Sequence, residues 1–221
     1  MTDPLWLANL ERWQTLIGAL VALFAALLGA LYLDRQTQQA ARIETERRDR
    51  ARAAVRAALP LWLSAICDYA KSVSGGLRPL ARASGEAVPS ELLLAYSPVS
   101  PSPELIDNLQ KTIESESNIH VIRVISEIMS ELQVLNSRTK DFPNAPPSLL
   151  VTKSNIEVYL LQAAKIYALA SSIFSYARRE VEEVDAVVTG DQLRVALRVL
   201  DLDGHEFSRL AEMADRMTAE S

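Results

Sequence analysis

Apolar and polar positions divide this chain sharply. From Leu16 to Leu33, 18 consecutive residues carry no charge and no strongly polar side chain. At 1.5 Å per residue such a run makes a helix about 27 Å long, close to the hydrocarbon thickness of a bilayer. Trp6 and Trp13 precede it and Tyr32 closes it. Their rings, each with one polar atom, suit the headgroup layer. Asp3-Pro4 is a helix start, with Asp as N-cap and Pro at the first turn. The pattern therefore predicts a membrane-spanning helix over about residues 14–33. A cleaved signal peptide is disfavoured by Asp3 and Glu11 in the leading segment and by the Arg-rich helix that follows at once.

After Asp34 the pattern changes to Ala, Arg, Gln and Glu, all good helix formers. Residues 35–59 read as a juxtamembrane helical spacer, with Glu44–Arg48 and Glu46–Arg50 as favourable i,i+4 pairs. Pro60 predicts a kink or a restart. Leu61 to Val73 continues helical until Gly75-Gly76, which reads as a stop. Residues 75–103 hold five of the ten prolines and three of the seven glycines. They read as an irregular connection with one short helix near Ser90–Tyr96.

Ser102-Pro103-Glu104 opens the next helical stretch. Leu105, Leu109, Ile113, Val121, Val124, Ile128, Leu132 and Leu135 fall on one face, and polar Glu114–Asn118 interrupts it, which allows either one helix or two in series. A loop at Asp141 to Pro147 follows. The most regular pattern then runs from Thr152 to Val184, through Ile156, Leu160, Ala163, Tyr167, Ala170, Phe174, Ala177, Val181 and Val184. Steps of four and three alternate, the period of a close-packed bundle or coiled coil. Thr189 with Gln192 and Asp203 with Glu206 have capping-box spacing. They predict two short final helices that turn Leu193, Leu197, Leu200, Phe207, Leu210, Ala214 and Met217 inward. No segment alternates with period two, so the fold class is all-α: a transmembrane helix (1–34), a charged juxtamembrane helix (35–59) and a helical bundle (60–221).

Charge adds orientation. The formal net charge of −5 is −2 over residues 1–34, +4 over 35–59 and −7 over 60–221. Only Arg12 precedes the span, whereas Arg35, Arg42, Arg47, Arg48, Arg50, Arg52 and Arg56 follow it. Positive charge is retained on the cytoplasmic side, which predicts an inner-membrane protein with its N-terminus outside and its C-terminal domain in the cytoplasm. The basic cluster also has the chemistry to attract anionic lipid headgroups. Within the span, Gly18, Ala22, Ala26 and Ala30 recur at every fourth position, a face that lets two helices approach closely and form a homo-oligomer.

Chemistry-bearing motifs are sparse. The chain has two histidines, His120 and His205, and one cysteine, Cys67. The sequence contains no HExxH, no CxxC, no phosphate-binding glycine loop and no GxSxG. Asp201-x-Asp203-Gly204 falls short of a calcium loop, because Val199 and Leu210 stand where acids are required. Residues 191–221 carry seven acids against four arginines, the wrong sign for nucleic acid. No cofactor and no enzymatic activity are expected.

The stretch WLANLERWQTLIGAL at residues 6–20, then Asp34-Arg35 and the Arg-rich helix, resembles bacterial single-pass membrane proteins of unknown function. Cys67-Asp68-Tyr69-Ala70 and Ser175-Tyr176-Ala177-Arg178-Arg179-Glu180 add to the resemblance. It implies a bacterial inner-membrane location and carries over no site residue. The expected function is a non-enzymatic interaction or scaffold module, whose partners are the lipid bilayer, possible further copies of itself and an unknown protein. The alternatives are a membrane-anchored enzyme with an unrecognised site and a cell-envelope structural protein with its bundle outside.

Overall fold

The computed structural model describes residues 5–144, 146, 150–185 and 187–219, with side chains apart from those of residues 5–12, 14–15, 206 and 217–219. The Asp3-Pro4 helix start, Pro147 and the side chains of Trp6, Arg12 and Met217 lie outside the described residues. The chain is all-α: α1 (Leu5–Ala81), α2 (Ser90–Ala95), α3 (Pro103–Ser115), α4 (Ile119–Thr139), α5 (Lys153–Ser172), α6 (Phe174–Ala177), α7 (Gly190–Val199) and α8 (Ser208–Ala219). Single 3-10 turns occupy Phe142–Asn144 and His205–Phe207. Among the described residues no strand forms, only one isolated antiparallel bridge between Ala87 and Thr152.

By packing, the chain separates into two units, Met1–Arg50 and Ala51–Ser221. The described part of the first is helix, and residues 16–50 are exposed throughout. The second holds the core. Its boundary falls before Pro60, so Arg52, Val55, Arg56 and Leu59 belong to the packed unit rather than to a free spacer.

Three expectations are corrected in the second unit. The helix does not stop at Gly75-Gly76 but continues to Ala81, and of the two alternatives at Pro60 the restart does not occur, since Pro60 and Pro79 lie inside α1. Leu59 and Leu63 are fully buried on either side of Pro60, and Leu77 and Leu80 are buried beyond the glycines. This burial offsets the lost backbone bond at each proline and the low helix propensity of glycine. Gly76 serves a close approach instead of a stop: a Cβ there would meet Tyr96 Cε2 at 2.9 Å. The true loop turns at Gly85, whose φ of +94° favours glycine.

The regular pattern from Thr152 to Val184 is likewise not one helix. α5 starts with the Thr152–Asn155 capping box and ends at Ser172. After α6, Arg179 takes φ +65°, and residues 178–185 and 187–189 are non-helical. Tertiary contacts of Tyr176 and the following chain, described below, outweigh the local period. Phe174 is consequently half-buried, and the fully buried aromatic of this stretch is Tyr176.

Finally, Asp203 does not cap the last helix. Gly204 precedes the 3-10 turn, Ser208 opens α8, and the Asp203 carboxylate lies 3.6 Å from Arg198 Nε. Two of the expected caps form. Ser102 accepts from the Leu105 N–H, and Thr189 forms its box with Gln192. Asn118 accepts from the N–H groups of His120 and Val121, which starts α4 after the polar interruption. α5 lies at the centre of the unit, packed against α4, α7 and α8.

Candidate functional site: an exposed apolar helix and an arginine cluster

The Leu16–Leu33 stretch lies in the part of α1 that is long and apolar enough to cross a membrane, and its most apolar window is 0% buried. The large side chains from Leu16 to Leu33 all face outward. α5 passes the same length and composition test but is 56% buried, as expected of a core helix. Trp13 and Tyr32 are exposed at the two ends of the apolar stretch. Gly18, Ala22, Ala26 and Ala30 are exposed, and Cβ atoms added at Gly18 and Gly29 would meet nothing within 4 Å.

The seven arginines divide into two groups. Arg35, Arg42, Arg47, Arg48 and Arg50 are exposed. Arg48 and Arg50 make the predicted pairs with Glu44 (3.0 Å) and Glu46 (2.9 Å). These acids dilute the positive field that would draw anionic headgroups. Arg56 is withdrawn from the solvated basic collar, and Arg52, though 37% exposed, is tied to Glu116, which corrects the sequence expectation for these two. Both are engaged inside the second unit.

Their site is built from three segments. Arg56, only 13% exposed, lies with Cζ 4.0 Å above the Tyr176 ring centroid. Its Nη2 and Nε donate to the Tyr176 carbonyl at 3.0 and 3.2 Å. Its Nη1 and Nη2 grip the two oxygens of Glu182 at 3.1 and 3.2 Å, a two-pronged carboxylate contact. Beside it Arg52 Nη2 stands 2.7 Å from Glu116 Oε1, whose side chain is 4% exposed. The same carboxylate accepts from the N–H groups of Ser117 (2.7 Å) and Asn118 (3.0 Å) and from the Tyr176 hydroxyl (2.7 Å). Asn118 Nδ2 donates to the Glu182 carbonyl at 3.1 Å, which joins the two halves.

Burial alone would raise the Glu116 carboxyl pKa. The Asn118 N–H, the Tyr176 hydroxyl, the Ser117 N–H and the Arg52 charge together outweigh burial and hold it below the ordinary value. The Tyr176 hydroxyl is pushed up by burial and by its bond to Glu116. Glu116 is thus held as the carboxylate and Tyr176 as the neutral donor to it.

Sequence reasoning missed Glu116, Tyr176 and Glu182 as partners. A signal existed for the arginines. Leu59, Leu63, Ile66, Ala70, Val73 and Leu77 are buried at alternating steps of four and three. Extending that stripe backwards lands on Arg56 and then Arg52.

Two other polar groups are notable. In the groove between α4 and α5, a cavity of about 330 Å³ is lined in part by Glu131, Arg138, Gln162 and Lys165. Lys165 Nζ stands 2.7 Å from both Glu127 and Glu131. Burial would lower its pKa, but the two carboxylates raise it, so the amine is held protonated. The free thiol of Cys67 is buried and pushed up to about 11, chiefly by burial, which leaves it unreactive. Among the described residues no group of three or more His, Cys, Asp or Glu could hold a metal ion.

No protein-family model, no curated protein and no solved structure matches the chain.

Proposed function

We propose that this chain is a single-pass membrane protein, anchored by Leu16–Leu33, whose helical second unit acts as a non-enzymatic interaction or scaffold module at the cytoplasmic face of a bacterial inner membrane. One observation carries the anchor: an 18-residue apolar stretch stays wholly exposed in a chain that buries its other apolar helices. So large an exposed apolar surface is costly in water and neutral in lipid. The orientation rests on the arginines. Five of them, Arg35 to Arg50, lie within 17 residues of Leu33, against Arg12 alone on the other side. Their count, rather than their contacts, governs topology, so the engagement of Arg52 and Arg56 leaves it intact. The resemblance to bacterial single-pass proteins supports the inner membrane as the location.

The module reading is supported by three charged groups that are already engaged within the unit: Lys165, Glu116 and Arg56 each hold protein partners. The test is a pair of C-terminal fusions in a bacterial host. A fluorescent fusion should glow and an alkaline phosphatase fusion should be inactive. An active phosphatase overturns the cytoplasmic assignment and favours an envelope protein with its bundle outside. Recovery of the chain in the alkaline-carbonate supernatant overturns the anchor itself.

A further inference from the structure

The second unit begins with a segment that is attached differently from everything after it. In residues 51–58 no apolar side chain is buried; Val55 and Ala58 are half-buried, and Ala51, Ala53, Ala54 and Ala57 are exposed. Full apolar burial starts at Leu59. Arg52 and Arg56 make the hydrogen bonds, ion pairs and ring contact that tie this segment down. Their receptor, moreover, lies partly off the regular helices: Glu116 follows α3, Val181–Glu182 belong to the non-helical residues 178–185, and Tyr176 sits in the one-turn α6. On the solvent side the contacts are wet, with Glu182 75% exposed and Arg52 37% exposed. Ion pairs of this kind weaken with salt, whereas apolar packing does not.

We propose that residues 51–58 form an ionic latch. These two turns of α1, about 12 Å of helix, dock on the unit through Arg52 and Arg56 and undock while the core from Leu59 onward stays folded. Desolvated Arg56 and Glu116 keep the latch shut at low ionic strength. Water and ions reach it through Glu182 and Arg52. Opening lengthens the solvated part of α1 and bares a receptor shaped for a guanidinium: the Tyr176 ring, the carbonyls of Tyr176 and Val181, and the Glu116 and Glu182 carboxylates.

Amide hydrogen exchange on the full-length protein in detergent micelles tests this, because the exposed helix of residues 40–48 is an internal reference. In about 0.05 M NaCl the amides of 53–58 should exchange at least about tenfold more slowly than those of 40–48. In about 0.5 M NaCl, and in Arg56→Gln, that gap should close, while amides of 124–135 and 160–169 stay protected. Glu182→Gln, a change at an exposed position that leaves the core untouched, should narrow the gap. The latch is overturned by an absence of the gap at low salt, which means the segment is not docked. It is equally overturned by a gap that survives both salt and Glu182→Gln, which means apolar contact holds it. A loss of protection at 124–135 in step with 53–58 also overturns it, since the segment then opens only with the whole unit.

Discussion

Leu16–Leu33 and α5 are both long apolar helices, yet one is wholly exposed and the other is the centre of a core. The difference lies in their polar residues. α5 carries Glu157, Gln162 and Lys165, and each meets a partner on another element. Glu157 stands 3.2 Å from Arg209, Gln162 donates to Glu131 at 2.7 Å, and Lys165 bridges Glu127 and Glu131. Leu16–Leu33 carries no such group and finds no such partner. A polar side chain is expensive in hydrocarbon and tolerable in a protein interior that satisfies it. Apolar length therefore does not separate the two kinds of helix, whereas partnered polar residues do.

Charge in the middle of each helix should break this comparison most severely. Leu23→Lys with Leu27→Lys adds an insertion cost of about 5–7 kcal/mol on translocon-based scales. The doubly substituted protein should leave the alkaline-carbonate pellet while its thermal transition in detergent is unchanged. Equal retention in the membrane would show that Leu16–Leu33 is not the anchor. A charge at fully buried Leu160 should do the reverse, abolishing the transition and leaving the protein membrane-bound.

Truncations to alanine sharpen the contrast. Leu160→Ala should cost about 2–5 kcal/mol of unfolding free energy, by lost transfer energy plus a cavity. Leu23→Ala should leave the transition where it is. Phe174→Ala should cost about 1 kcal/mol, below the range for a fully buried ring, because Phe174 is only half-buried. Matching shifts for Leu160 and Phe174 in a chemical-denaturation series would contradict the burial pattern around α5.

These magnitudes also show what the sequence could and could not reveal. The all-α class, the apolar stretch, the Ser102, Thr152 and Thr189 starts and the α3–α4 break are encoded locally, in period and cap chemistry, and were legible. Gly76, Pro60 and the end of α5 were not. Their outcome depends on residues distant in sequence: Tyr96 lying over Gly76, Leu59 and Leu63 burying both sides of Pro60, and Tyr176 bound to Glu116 and Arg56. The same reason hid the arginine cluster. Arg52 and Arg56 look like members of a basic run until their partners, 60 and more residues away, are in place.

The unit boundary at Ala51 predicts a difference between two fragments. One that starts at Ala51 retains Leu59 and the arginine cluster, and one that starts at Leu61 loses both. Burial of Leu59 alone is worth about 1.5–3 kcal/mol. The shorter fragment should be less stable by about 3 kcal/mol once Arg56 is counted. Coincident denaturation midpoints would place the start of the folded unit after Pro60.

A smaller effect attaches to Glu116. Its carboxyl pKa is lowered on folding, so its contribution is complete above the ordinary value of 4.5 and is lost as pH falls through the folded value. Glu116→Gln should cost about 2 kcal/mol near neutral pH. The gap between the two proteins should shrink as acid takes the pH below 4.5, because protonated Glu116 resembles the glutamine. A gap that does not change with pH would mean that the network does not depend on the carboxylate charge.

The smallest expected effect concerns the exposed face of the apolar helix. Gly18, Ala22, Ala26 and Ala30 form one small-residue row, and an added Cβ at Gly18 has open space within 4 Å. In lipid, helices associate by close packing and not by apolar burial, so short side chains matter more than hydrophobic ones. Gly18→Leu with Ala22→Leu raises hydrophobicity and so leaves insertion intact, but it holds two backbones apart. Self-association in a membrane two-hybrid or crosslinking assay should weaken by on the order of 1 kcal/mol. Leu20→Ala with Leu27→Ala alters the apolar stretch away from Gly18 and Ala22 and serves as the matched control. If both double substitutions leave the crosslinked fraction at the parent value, the small row reflects composition alone. If only the control lowers it, the chains pair through their leucines, and the association face lies elsewhere on the helix.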